Sequence, residues 1–128
     1  MSKVLVVDDS RTIRTIIRRS LIELGYEVCE ACDGKEALKV IEVEKAAVKL
    51  VLTDWNMPEM NGFELLKRLR LDPELSSLTI VMVTTETEIS HMVSALDAGA
   101  NEYIMKPFTR DILKEKLELV GIRPLASV

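Results

Sequence analysis

Five short apolar runs, each followed by an amphipathic helical pattern, dictate what this chain can fold into. The runs fall at residues 3–7, 27–31, 49–53, 79–83 and 102–105. The first, third and fourth consist almost wholly of Val, Leu, Ile, Met and Thr, as in strands of a parallel sheet covered on both faces. Between them, residues 11–24 put Ile13, Ile16, Ile17, Leu21 and Leu24 on one helical stripe. Later helices carry Ala37, Leu38 and Ile41, then Phe63, Leu66 and Leu69. The spacing predicts a fourth helix over 86–98 with Ile89, Met92, Val93 and Leu96 turned inward, and a fifth built on Ile112, Leu113, Leu117 and Val120. Ser10 or Asp9, and later Thr109, suit helix starts, while Gly25, Gly99 and Gly121 suit helix exits. No linker or low-complexity tract interrupts the alternation. It predicts one α/β domain over residues 1–128, a (βα)5 doubly wound five-stranded parallel sheet, for which the flavodoxin-like order 2-1-3-4-5 is assumed.

At 48% hydrophobic and 30% charged residues, the chain reads as globular and is long enough for a sizeable core. It has no apolar run of membrane-spanning length, and two aspartates follow the short run at 4–7, unlike a signal peptide. A cytoplasmic location without membrane contact is expected. The formal charge of −4 disfavours nucleic acid as a partner, so Arg11, Arg14, Arg18 and Arg19 read as a solvated helix face. Cys29 and Cys32 form a C-x-x-C without a second pair, which leaves structural zinc short of ligands. In extended chain their Cα atoms would lie ~10 Å apart, beyond disulfide reach. Two reduced thiols, at least one buried, are expected.

The chemistry is carried by polar residues placed just after the apolar runs. Asp8 and Asp9 follow the first, Asp54 the third, Thr84 the fourth and Lys106 the fifth. Ligands of open parallel sheets bind beyond the carboxyl ends of the strands, and in the expected order the first and third strands flank the switch point. Two carboxylates ~4 Å apart repel by about 4 kcal/mol at an effective dielectric of ~20, so three ionised acids need a cation or protons. An oxygen-only, partly open set suits Mg2+. Lys106 adds a mobile positive charge, and lysine and metal together would neutralise an incoming phosphoryl group. Asp54 is then the candidate nucleophile, with Thr84 able to hydrogen-bond a phosphoryl oxygen. Singly, each residue has a plainer reading: Asp8 and Asp9 as helix caps, Asp54 as a turn acid and Lys106 as a surface lysine, while Thr84 alone says nothing. Their coincidence at strand ends outweighs those readings. His91, with no acid or cysteine at ligand spacing, reads as a surface histidine, and no nucleotide-phosphate loop or nucleophile elbow occurs.

With those residues in view, the chain resembles the receiver domains of two-component response regulators, and within them the CheY-like chemotaxis branch. The likeness rests on Val6-Val7-Asp8-Asp9-Ser10, Asp54-Trp55-Asn56-Met57-Pro58, Asn61-Gly62, Val83-Thr84 and Lys106-Pro107-Phe108, and runs from about Lys3 to Leu119. It implies that Asp54 accepts a phosphoryl group from a CheA-like histidine kinase or a small acyl phosphate. It implies Mg2+ on Asp9, Asp54 and the Asn56 carbonyl, with Asp8 acting through water, and Lys106 on the phosphoryl oxygens before a cis Lys106-Pro107 bond. Thr84 and Tyr103 would be the switch pair, the ring turning inward, and Asn56 and Glu86 would tune the phosphoryl lifetime. Output would pass through the fourth helix, fifth strand and fifth helix, in the chemotaxis branch to the flagellar motor switch protein.

Three positions depart from the chemotaxis pattern. Thr85 is bulkier than many counterparts beside the switch threonine, Asn61 replaces a common aspartate, and 99–103 resembles receivers attached to other outputs. The competing readings are a receiver of another two-component pathway, free-standing or excised from a larger regulator, and an aspartate-nucleophile phosphatase. The phosphatase would place a second acid where Asn56 stands and would need a cap for which the chain has no room. A receiver that never takes phosphate is opposed by the intact acids, Thr84 and Lys106.

Overall fold

The computed structural model describes residues 3–85 and 89–122. Five strands, β1 (Lys3–Val7), β2 (Glu27–Ala31), β3 (Val48–Thr53), β4 (Thr79–Thr84) and β5 (Glu102–Met105), pair in parallel in the order β2-β1-β3-β4-β5. The helices α1 (Arg11–Glu23), α2 (Gly34–Glu44), α3 (Gly62–Leu71), α4 (Ile89–Asp97) and α5 (Arg110–Leu119) alternate with them. A single 3₁₀ turn at Pro73–Leu75 follows α3. The fold class is as the sequence predicts, and the strand order is the one assumed.

Period-two alternation divides each strand between two cores. Leu5, Val7, Val51, Ile80 and Met82 face Ala37, Ile41, Leu65, Leu66, Leu69 and Ala95 of α2, α3 and α4. Val4, Val6, Leu50, Leu52, Val81, Val83 and Ile104 face Ile17 and Leu21 of α1 and Leu113 and Leu117 of α5. Helix starts are pinned by side-chain caps: Ser10 accepts from the Ile13 amide, Asp33 from Glu36 and Thr109 from Ile112. Asn61 and Glu64 form a reciprocal capping box at α3. Among the described residues, no helix is long and apolar enough to cross a membrane.

Three expectations need correction. In α4, Ile89, Val93 and Leu96 are 76%, 50% and 46% exposed; the helix lies on the sheet through buried Ala95, with Met92 half-buried. A small residue lets the backbone approach closely, and the larger apolar side chains are left facing outward. The start expected at Glu86 lies outside the described residues. Ile16 and Ile112 likewise sit at the exposed flanks of their helices, because Ile17 and Leu21, and Leu113 and Leu117, complete the buried stripes. Cys29 and Cys32 are free thiols as expected, but both are only half-buried. Cys29 donates to the Val4 carbonyl (3.8 Å), and Cys32 lies beyond the end of β2, its Sγ 3.4 Å from Glu36 Oε2.

Candidate functional site

Asp8, Asp54 and Lys106 sit one step past their strands and Thr84 is the last paired residue of β4, and backbone hydrogen bonds extend the ladders into the rim. The Asp8 amide donates to the Ala31 carbonyl (3.2 Å), Asp54 to Val7 (2.9 Å) and Lys106 to Thr84 (3.0 Å). These bonds fix where each side chain leaves the sheet. Carboxylate oxygens of Asp8, Asp9 and Asp54 lie within 4.8 Å of one another. Asp8 is buried, Asp54 half-buried and Asp9 exposed, so the cluster opens to solvent on the Asp9 side.

Asp8 is tied on every side. Its Oδ1 accepts from the Ser10 amide (2.9 Å), its Oδ2 faces Lys106 Nζ (2.6 Å) and its carbonyl accepts from Arg14 Nη1 (2.7 Å). Lys106 Nζ is also 3.6 Å from Asp54 Oδ2, and the Lys106-Pro107 peptide is cis, as expected. Asp54 Oδ1 accepts from the Trp55 amide (2.8 Å), and the fully buried Thr84 donates its hydroxyl to the same carboxylate. Burial first, and Asp8 second, push the Asp54 carboxyl above its ordinary range; Lys106, the Trp55 amide and Thr84 pull the other way.

Three carboxylates against one ammonium leave two formal negative charges on a hard-oxygen, half-open rim. The donor set fits a magnesium-sized dication, and Asp8, Asp9 and Asp54 are the side chains that would hold it.

Several supporting groups were not legible in the sequence. A Cβ on Gly62 would lie 1.9 Å from the Asp54 carbonyl oxygen, so α3 can start against the end of β3 only with glycine there. The Gly62 amide donates to the Trp55 carbonyl (2.8 Å) and closes the loop. Trp55 stacks on Phe63 (centroids 4.9 Å apart, planes 9°), and the half-buried His91 ring lies 4.9 Å from Trp55 on its α4 side. His91 is therefore packed beside the site rather than being a surface histidine. Arg14 and Arg18, read as a solvated basic face, both approach Glu30 (3.3 and 3.8 Å). Tyr103, opposite Met82, is buried on the face shared with α4. Asn56 is exposed in the β3–α3 loop, and Glu86 lies outside the described residues.

A rim of three acids, a threonine and a lysine at the β1/β3 switch point of a 2-1-3-4-5 sheet defines a class. The chain belongs to the response regulator receiver domain family, whose model matches residues 4–118. Within that family it is similar to chemotaxis protein CheY1 of Helicobacter pylori, 51% identical over 119 residues covering 92% of this chain and 95% of that protein. It is similar also to the chemotaxis protein CheY homolog of Campylobacter jejuni, 50% identical over 91% of this chain and 89% of that one. The solved structure of Vibrio cholerae chemotaxis protein CheY4 superimposes with a TM-score of 0.86 at 39% identity, covering 94% of this chain and 98% of that chain.

Proposed function

We propose that the chain is a phosphorylatable switch in which Asp54 receives a phosphoryl group in a magnesium-dependent step. The observation that carries this is the convergence of Asp8, Asp9 and Asp54 within 4.8 Å, with Lys106 Nζ 3.6 Å from Asp54 Oδ2. Asp54 Oδ1 is held by an amide, which leaves Oδ2 facing the lysine as the attacking oxygen. The new bond joins that oxygen to phosphorus, and the bond from phosphorus to the donor, a kinase histidine nitrogen or an acyl oxygen, breaks. A bound Mg2+ would supply charge neutralisation for the phosphoryl oxygens. Lys106 supplies the second positive charge, and Thr84 a hydroxyl that can leave Asp54 for a phosphoryl oxygen. Asn56 and Glu86 would set the lifetime of the acyl phosphate. The chain thus assists a transfer onto itself and does not turn over a substrate.

The readout follows from a two-state equilibrium biased by the modification. Movement of the Thr84 hydroxyl and the Tyr103 ring on adjacent strands would alter the surface formed by α4, β5 and α5. The apolar side chains left exposed there suit a protein target. Identity near 50% to chemotaxis proteins over nine-tenths of the chain favours a CheA-like histidine kinase upstream and the flagellar motor switch protein downstream.

The test is intact mass after incubation with acetyl phosphate. Wild type with Mg2+ gains one phosphoryl group, and wild type in chelator and Asp54→Asn gain none. Equal labelling of Asp54→Asn would remove the assignment.

A further inference from the structure

The loop from β1 to α1 carries two of the three acids, and its geometry depends on a residue outside the rim. Arg14, on the first turn of α1, has a side chain only 16% exposed. Its guanidinium is forked: Nη1 donates to the Asp8 carbonyl (2.7 Å), and Nε donates to Glu30 Oε1 on β2 (3.3 Å). The Asp8 carbonyl belongs to the peptide that joins Asp8 to Asp9, so fixing its direction constrains the backbone from which the Asp9 carboxylate projects. Asp8 has its own ties to Ser10, Lys106 and Ala31, whereas Asp9 is exposed and takes its place from the peptides on either side, one held by Arg14 and the other by the Ser10 amide on Asp8 Oδ1 (2.9 Å).

We infer that Arg14, seated on Glu30, is a positioning residue for the cation site: it orients the Asp8–Asp9 peptide and thereby aims Asp9 at the ion. The inference rests on the magnesium reading above. Groups one step removed from metal ligands typically change metal affinity by 10–100-fold when lost. Charge and position predict opposite signs here. Removing a cation beside three carboxylates tightens Mg2+ binding if only Coulomb attraction matters, and loosens it if the guanidinium holds the loop.

The experiment titrates Mg2+ into the full chain and follows emission of its single tryptophan, Trp55, with thermal melting in chelator alongside. Arg14→Gln is expected to weaken Mg2+ binding about tenfold, measured well below its melting temperature. Arg14→Lys keeps the charge but not the fork, and is expected to fall on the same side. Glu30→Gln keeps an acceptor for Nε and is expected to change affinity less, with a salt-sensitive difference. A purely structural role would lower the melting temperature and leave the affinity of the folded protein unchanged. Unchanged or tighter Mg2+ binding by both arginine variants overturns the inference while leaving the cation site in place. A wild-type protein that shows no saturable Mg2+ response overturns the site reading itself, and the inference with it.

Discussion

Asp54 sits in a place that resists its charge. Burial and Asp8 raise its pKa above the usual carboxyl range despite Lys106 and two hydrogen-bond donors. An acid whose folded pKa lies above its unfolded value stabilises the fold most when protonated. That contribution is complete below the ordinary carboxyl range and is lost as pH rises through the raised folded value. In chelator, Asp54→Asn should therefore melt higher than wild type at neutral pH, and the gap should shrink as pH falls through that window. A variant melting below wild type at neutral pH would contradict this. Gly62 makes the opposite case, where a methyl group is too much. Its Cβ would collide with backbone, not with a yielding side chain, so Gly62→Ala should cost about 3 kcal/mol or more in denaturant unfolding. A cost under about 1 kcal/mol would mean that α3 can withdraw from β3 freely.

At the scale of elements, α4 is the informative one. Its apolar stripe was legible, but its direction was not, because periodicity identifies an apolar face without saying which face the sheet accepts. Ala95 decided it: a helix seated through a small side chain keeps Ile89, Val93 and Leu96 outside. Val93→Lys should then leave stability within about 0.5 kcal/mol of wild type while weakening capture of the phosphorylated protein by its target. Ala95→Leu should cost about 1–3 kcal/mol by overpacking. Paired denaturant melts check both, and a large loss for Val93→Lys would show that the stripe is core after all. The rim acids, by contrast, were readable because strand ends are marked in the sequence by the switch from apolar to polar residues. The supports of those acids were not. Arg14 reads as one of four arginines on a helix, and only the approach of α1 to β2 pairs it with Glu30 and turns it toward Asp8.

For the molecule as a whole, one sheet connects the acidic rim to the proposed output face. β1 and β3 present the acids, β4 carries Thr84 into contact with Asp54, and β5 places Tyr103 beside β4 and Lys106 at the rim. The β3–α3 loop and α4 meet at Trp55 and His91, so the site and the candidate output helix share a packed contact. The βα alternation and the family motifs were visible in the chain because each rests on local pattern, whereas the strand order, which sets β1 beside β3, is non-local and was assumed from the flavodoxin-like arrangement. The account stands on Asp54 becoming an acyl phosphate, which borohydride reduces to homoserine. After treatment with acetyl phosphate and Mg2+, then borohydride, peptide mapping should find homoserine at position 54 and at no other aspartate. Homoserine at Asp8 or Asp9, or its absence from a protein that has gained phosphoryl mass, would contradict the account.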